Sequence, residues 1–161
     1  MLSKHGTEGL VIQMAVEKNP AQEFLSQAQR CETDIHNLLA KKARLESLRE
    51  KTTTTWGTER VSGTMNNDKL CDTTAKIMEL DQEYDAEIER LKAKIKEIDD
   101  VIHQVTNQNY YEVLSRVYIR YESVKDTAIS MHLGERHVNR LHRRALQVVE
   151  AILSERQVDH G

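Results

Sequence analysis

Two long stretches of this chain carry apolar residues at alternating steps of three and four, the spacing of a coiled-coil seam. The first helix is predicted to begin at Pro20, after Asn19 as a cap, and to end near Glu50. The second is predicted from about Asp68 to Thr106, roughly 55–60 Å at 1.5 Å per residue. The seam positions are Ala21, Phe24, Ala28, Cys31, Ile35, Leu38, Lys42 and Leu45, then Leu70, Thr74, Ile77, Asp81, Tyr84, Ile88, Leu91, Ile95, Ile98, Ile102 and Val105. The two seams together predict an antiparallel helical hairpin over 21–106.

Each seam contains one charged residue, Lys42 in the first and Asp81 in the second. If paired residue numbers sum to about 122–123, these two side chains fall opposite each other, and such a polar pair fixes the register of a coiled coil. The alternatives are that both side chains reach water independently, or that the register slips by seven residues. In this register Cys31 and Cys71 lie on the order of 30 Å apart along the hairpin, too far to form a disulfide.

The segment 51–68 interrupts the heptad pattern with four consecutive threonines, two glycines and two asparagines. These residues favour turns or lack helix propensity, so a long polar loop is predicted between the two helices. Trp56 in this loop either meets a partner or is exposed without a role. Residues 1–20 are interpreted as a loosely ordered extension, with a brief helix at Leu10–Glu17 as one possibility.

A smaller helical head is predicted over 107–154, followed by a frayed polar tail over 155–161. Asn107 can cap its first helix, and Ser123 with Asp126 forms a capping pair at the start of the second. The first helix carries a tyrosine-rich apolar stripe: Tyr110 or Tyr111, Leu114, Val117, Tyr118 and Tyr121. Small or apolar residues are placed to hold two crossing helices together after Ser123: Ala128, Met131, Leu133, Val138 and Leu141. This spacing predicts a three-helix head that contains a helix-turn-helix.

The last helix, around 135–153, divides into an apolar stripe and a basic face. The predicted buried stripe is Val138, Leu141, Ala145, Val148 and Ile152. The predicted DNA-binding residues are Glu135, Arg136, His137, Asn139, Arg140, His142, Arg143 and Arg144. Arginine and asparagine can make bidentate contacts to guanine and adenine edges, so the first two turns are predicted to read the major groove. The alternative is a solvated basic surface helix.

Composition supports this division of the chain. Of 161 residues 39% are hydrophobic and 30% are charged, and there is one proline, which together favour an all-α protein. The net charge is −3, but residues 107–161 hold 8 Lys/Arg against 7 Asp/Glu, and 1–106 hold 15 against 19. The positive balance therefore coincides with the predicted DNA-binding head.

The motifs of common enzymes and cofactor sites do not occur in this sequence. We find no phosphate-binding glycine loop, nucleophile elbow or zinc-protease helix. His132, His137 and His142 are five residues apart, a spacing that does not place all three on one helix face, and no metal is predicted. No apolar run reaches membrane-spanning length, and two unpaired cysteines are typical of the cytoplasm. No enzyme activity, cofactor or membrane association is expected.

The segment YIRYESVKDTAISMHLGERHVNRLHRRAL is similar to the helix-turn-helix of sigma factor region four. It more closely resembles the RinA/ArpU-like regulators encoded by phages of Gram-positive bacteria, and the resemblance extends over Glu23–Ile152. The matching positions are Arg120, Tyr121, Ala128, Met131, Val138, Arg140, Leu141, His142, Ala145 and Leu146. The resemblance implies a DNA-binding activator of late, packaging-associated phage genes.

Three residues depart from the pattern of that family. Thr127 stands where an apolar residue usually seals the first helix, His132 at the usual turn glycine, and Gly134 at the usual cap serine. These departures predict a reshaped corner, in which Gly134 supplies the backbone flexibility one or two residues late.

Two classes of function are compatible with the sequence. The favoured one is a sequence-specific transcription regulator that binds double-stranded DNA. The alternative is a coiled-coil adaptor or assembly protein that binds RNA polymerase or another protein without reading DNA. Six apolar residues lie off both seams: Leu25, Leu39, Leu48, Met78, Leu80 and Val101. Either the head or a second chain must cover them, and a homodimer is the favoured expectation.

Overall fold

In the computed structural model the described residues, 19–55 and 65–158, form an all-α fold with no strand among them. A long helical hairpin precedes a small helical head, as predicted. The hairpin helices are α1 (Pro20–Thr55) and α2 (Met65–His103). The head consists of α3 (Gln108–Leu114), a π-helical segment (Ser115–Ile119), α4 (Val124–Ser130) and α5 (Glu135–Val158).

The described chain divides into two compact units, and α1 and α2 each contribute to both. The head unit contains the described residues up to Gln29 and those from Lys96 onward. The hairpin unit contains Arg30–Ile95, apart from the undescribed segment between the helices.

The predicted register of the hairpin is confirmed within the hairpin unit. Lys42 Nζ lies 3.3 Å from Asp81 Oδ1 and also bonds the carboxylate of Asp85. The hydrogen bond to Asp85, with Asp81 adding to it, raises the pKa of Lys42 above its usual value. A slip of seven residues would move Lys42 away from Asp81, so that alternative is excluded. Cys31 and Cys71 are both free thiols.

The predicted loop over 51–68 is wrong at both ends, because α1 continues to Thr55 and α2 begins at Met65. The threonine side chains are accommodated in the extra residues of α1. The hydroxyls of Thr52, Thr53 and Thr54 each donate to the carbonyl four residues earlier, at 2.7–2.8 Å. This back-bonding gives each hydroxyl a partner inside the helix, so the run of threonines is compatible with a further turn of α1.

The core of the head unit joins the base of the hairpin to α3, the π-helical segment and α5. Two of the six off-seam residues, Leu25 and Val101, are fully buried in it. The head itself therefore covers these two, whereas four others remain 38–55% exposed: Leu39, Leu48, Met78 and Leu80. The completely buried members of this core are Ala21, Leu25, Ala28, Ile98, Val101, Ile102, Leu114, Ala145 and Val149.

The frayed tail predicted over 155–161 is also wrong in its first part, because α5 extends to Val158. Leu153 packs against the core, and the hydroxyl of Ser154 donates to the carbonyl of Glu150 at 2.9 Å, so the last turns of the helix have partners. The predicted extension before Asn19, the helix suggested at Leu10–Glu17 and the role of Trp56 fall outside the described residues.

Candidate nucleic-acid interface

Both helices that precede the basic face have the predicted caps. The side chain of Asn107 accepts hydrogen bonds from the backbone of Asn109 and Tyr110, at 3.0 and 3.2 Å, and so opens α3. Ser123 Oγ accepts from the amide of Asp126 at 3.1 Å and donates to the Asp126 carboxylate at 2.6 Å. The start of α4 is therefore fixed by a pair of side chains that the sequence identifies.

The turn between α4 and α5 differs from the expectation. His132 itself adopts a left-handed backbone with φ 55°, and the amide of Leu133 donates to the carbonyl of Ala128 at 2.9 Å. Gly134 has no positive φ, and its carbonyl accepts from the amides of His137 and Val138 at the start of α5. The prediction that Gly134 supplies the flexibility is therefore wrong, because the strained position is His132 and Gly134 acts as a cap residue.

A second, smaller core locks α4 and α5 together. Val113, Ala128, Val138 and Leu141 are all buried in it. Met131 and Leu133 pack partly against the same cluster. The residues predicted to hold two crossing helices together are thus in contact, which fixes α5 relative to α4 within the head unit.

Thr127 is the one buried polar side chain among the described residues, and it lies on the inner face of α4. It has no exposed surface, and its hydroxyl has no hydrogen-bond partner among the described residues. The position where the resembled family places an apolar residue is therefore buried here too, but it carries an unsatisfied hydroxyl. Such a group costs free energy in the folded state because it has given up its hydrogen bonds to water.

The basic face of α5 is opposite its buried stripe. At about 100° per residue, Arg136, Asn139, Arg140 and Arg143 fall within an arc of roughly 100°, and Val138 lies on the other side of the helix. All four are exposed, whereas Val138 has no exposed surface. Glu135, His137 and Arg144, on the edges of the arc, are also exposed. The predicted buried stripe is correct at Val138, Leu141 and Ala145, but further along it runs through Leu146 and Val149.

The arginines of this face are not used to hold the head together. Among the described residues, Arg136, Arg143 and Arg144 form no ion pair with a carboxylate, and Arg140 donates only to Nδ1 of the exposed His137, at 3.1 Å. Their side chains are therefore available to a ligand.

Arg116, and not an arginine of α5, forms ion pairs with the two nearby acids, Glu112 and Glu122. Its Nε is 2.7 Å from Glu112 and its Nη1 is 3.1 Å from Glu122, all three side chains being at most 28% exposed. This bridge ties α3 and the π-helical segment to the residues just before α4. The Glu112–Arg116 spacing of four is visible in the sequence, but the contact with Glu122 depends on the π-helical turn between them.

His142 is the exception among the eight predicted DNA-binding residues. It is half-buried, its ring stacks on Tyr118 with centroids 5.7 Å apart, and its Nε2 lies 2.9 Å from the Tyr118 hydroxyl. Burial, with the charge of Arg143 as a smaller cause, lowers the pKa of His142, and burial raises the pKa of Tyr118 to about 12. His142 therefore bonds a core tyrosine and takes a structural position, unlike the seven exposed residues that were predicted with it.

The described residues contain no group of three or more histidine, cysteine or acidic side chains arranged to hold a metal ion. No helix in 19–55 or 65–158 is both long and apolar enough to cross a bilayer. Comparisons with protein-family models, with curated proteins and with solved structures each give no match for this chain. The interpretation of the basic face therefore depends on its own geometry and chemistry.

Proposed function

We propose that this protein is a sequence-specific DNA-binding regulator of transcription, which inserts the first two turns of α5 into the major groove. The observation that carries the proposal is the exposed arc of Arg136, Asn139, Arg140 and Arg143, opposite a buried stripe that fixes the helix to α4. Short helices joined by a tight turn, with the second helix exposed at its N-terminal end, are the arrangement of DNA-binding helix-turn-helix proteins.

The side-chain chemistry of the arc favours base recognition over charge attraction alone. Arginine pairs bidentately with guanine O6 and N7, and asparagine pairs with adenine N6 and N7. Arg136, Asn139 and Arg140 lie in the first two turns of α5, where base contacts are made in this class of protein. Arg143 and Arg144 lie further along the helix and are assigned to phosphates.

The pairing of nearby acids supports the same assignment. A basic helix on a protein surface is often neutralised by neighbouring carboxylates, but here Glu112 and Glu122 are bound by Arg116. Glu135 is exposed at the start of α5 and forms no ion pair among the described residues. DNA phosphates and bases would supply the acceptors that the protein does not.

The resemblance to RinA/ArpU-like regulators extends this proposal to the late or packaging-associated genes of a phage. Under that extension the protein works in the cytoplasm of the bacterial host, and RNA polymerase is a further partner. The adaptor function remains the competing proposal, favoured by the exposed apolar side chains Leu39, Leu48 and Met78 of the hairpin unit.

The test compares arginine variants on a duplex that the protein selects from a random pool. Arg140→Ala is expected to weaken binding to the selected duplex by about 1–3 kcal/mol while non-specific binding stays nearly unchanged. Arg144→Ala should weaken binding to all sequences alike and reduce the slope of log affinity against log salt by about one. Arg156→Ala is the matched control, since it lies on the same helix about 24 Å beyond Arg140 and should leave sequence preference intact.

Thermal melts of the same variants separate a DNA contact from a structural role. Arg140 is exposed and forms no ion pair among the described residues, so Arg140→Ala should melt at the temperature of the wild type. A large drop in melting temperature with a proportional loss of binding would show that Arg140 is structural. Equal binding of wild type and Arg140→Ala to the selected and to unrelated duplexes would refute the base-reading assignment.

A further inference from the structure

The hairpin unit has almost no buried core of its own. Among its described residues the buried side chains are Cys31, Ile88 and Leu91. Further along the hairpin, seam residues such as Leu45 and Ile77 are only half-buried. In a helix bundle the same kind of seam residue is enclosed by facing helices, so this seam is incomplete with two helices alone.

A groove lies between α1 and α2 in this part of the hairpin unit. It has a volume of about 420 Å³ and is lined mainly by small or apolar groups: Thr52, Leu70, Cys71, Thr74, Ala75 and Met78. A smaller hollow of about 130 Å³ shares Arg49, Ile77 and Met78 with it and continues to Leu45. We call the two together the distal groove. Met78, which lines both parts, is 55% exposed.

The charges along the distal groove compensate each other within the chain. Arg49 pairs with Glu46 at 2.6 Å, and Asp81 lies 3.3 Å from Lys42. The groove therefore gives no field that would select a strongly acidic or basic partner, and two copies of it can approach without like-charge repulsion.

The face of the hairpin unit that contains the distal groove is as large as one side of a stable protein–protein contact. The part of α1 in the hairpin unit, Arg30–Thr55, is about 39 Å long at 1.5 Å per residue. Two adjacent helices of about 10 Å each then present roughly 800 Å² over the whole face of the hairpin unit, of which the distal groove is one part, and this is the area that one partner contributes to a standard interface.

We propose that the distal groove is the contact surface between two copies of this chain, which pack hairpin against hairpin as a four-helix bundle. An isologous pair meets each requirement above: it encloses the half-buried seam residues, covers Met78 and adds no unpaired charge. The inference does not rest on DNA binding, although a dimer would supply the two heads that a two-half-site operator requires.

The test is the mass of the full-length protein in solution, by light scattering and sedimentation at tens of micromolar. The wild type should have twice the 18.6 kDa of one chain. Met78→Lys places a charge in the groove and should give the mass of one chain, with unchanged helix content by circular dichroism. Leu48→Lys is the matched control, since Leu48 is 52% exposed on the same unit but does not line the groove, and this variant should stay dimeric.

Cys71 provides a second readout that needs no change in the groove. It is exposed in a single chain and lines the groove, whereas Cys31 is buried, so a thiol reagent reports on Cys71. Its reaction rate should fall severalfold as the concentration rises through the dimerisation range, and Met78→Lys should abolish this fall. A monomeric wild type with concentration-independent labelling would overturn the proposal and leave the groove to a different protein. A dimer that survives Met78→Lys, or is lost equally in Leu48→Lys, would overturn this choice of surface.

Discussion

Replacing Thr127 with valine should stabilise the head, although it only exchanges one buried hydroxyl on α4 for a methyl group. Thr127 is fully buried and its hydroxyl has no partner among the described residues. Leaving a buried hydroxyl unsatisfied costs about 1–3 kcal/mol, and valine has the same shape and a similar helix propensity. We therefore expect Thr127→Val to raise the free energy of unfolding by about 1–2 kcal/mol.

The assay is urea unfolding followed by circular dichroism, together with scanning calorimetry. A gain of that size corresponds to a melting temperature higher by roughly 2–4 °C for each kcal/mol in a chain of this length. Thr127→Ser keeps the hydroxyl and removes the methyl group, so it should destabilise the head by about 1 kcal/mol. The two variants together separate the contribution of the methyl group from that of the hydroxyl.

Thr73→Val is the control for the substitution itself. Thr73 is exposed on α2 and its hydroxyl donates to the carbonyl of Lys69 at 2.8 Å, so the change should leave stability nearly unaltered. A Thr127→Val protein that is less stable than the wild type would mean that the hydroxyl has a favourable partner inside the head and does not cost stability.

Three further predictions concern the elements that position α5, and one variant in the hairpin serves as a control. His132→Gly should raise the melting temperature, because glycine relieves the left-handed backbone at φ 55°, whose cost for other residues is roughly 1–2 kcal/mol. Arg116→Ala should lower the melting temperature by several degrees, since it leaves two carboxylates without their shared partner. Arg90→Ala, which removes an exposed pair with Glu87 in the hairpin, should change it little. The pKa of His142 is lower in the folded state than in the unfolded state, so this residue contributes its full stability above about pH 6.5 and loses it as the pH falls toward the folded-state pKa. His142→Gln should therefore make the free energy of unfolding less dependent on pH between about pH 7 and 5.

The hairpin was predictable because its signals are local and repeated. Heptad spacing identifies both helices, and the single charged position in each seam, Lys42 and Asp81, fixes how they pair. The ends of the helices were predicted less well, because helix propensity is a weak prior and the low propensity of threonine does not end α1 at Thr52, Thr53 or Thr54, whose hydroxyls bond to the preceding turn. Helix propensity is a weak guide to where a helix ends when side-chain hydroxyls can hydrogen-bond to the helix backbone.

The face of α5 was predictable from periodicity, since seven of its eight predicted residues are exposed. The position of His142 was not, because it depends on Tyr118, which is 24 residues away and is placed by the π-helical segment. The same segment brings Glu122 to Arg116. The π-helical turn and the left-handed backbone at His132 depend on the packing of the head, and no local pattern in the sequence predicts them.

If the exposed arc of α5 reads base sequence, selection from a pool of random double-stranded DNA will reveal it. The wild-type protein should enrich a discrete motif over successive rounds, and Arg140→Ala should lose the preference at one guanine-containing base pair of that motif while the other positions persist. Recovery of DNA without any enriched sequence, at an affinity that Arg140→Ala does not alter, would show that α5 does not read base sequence.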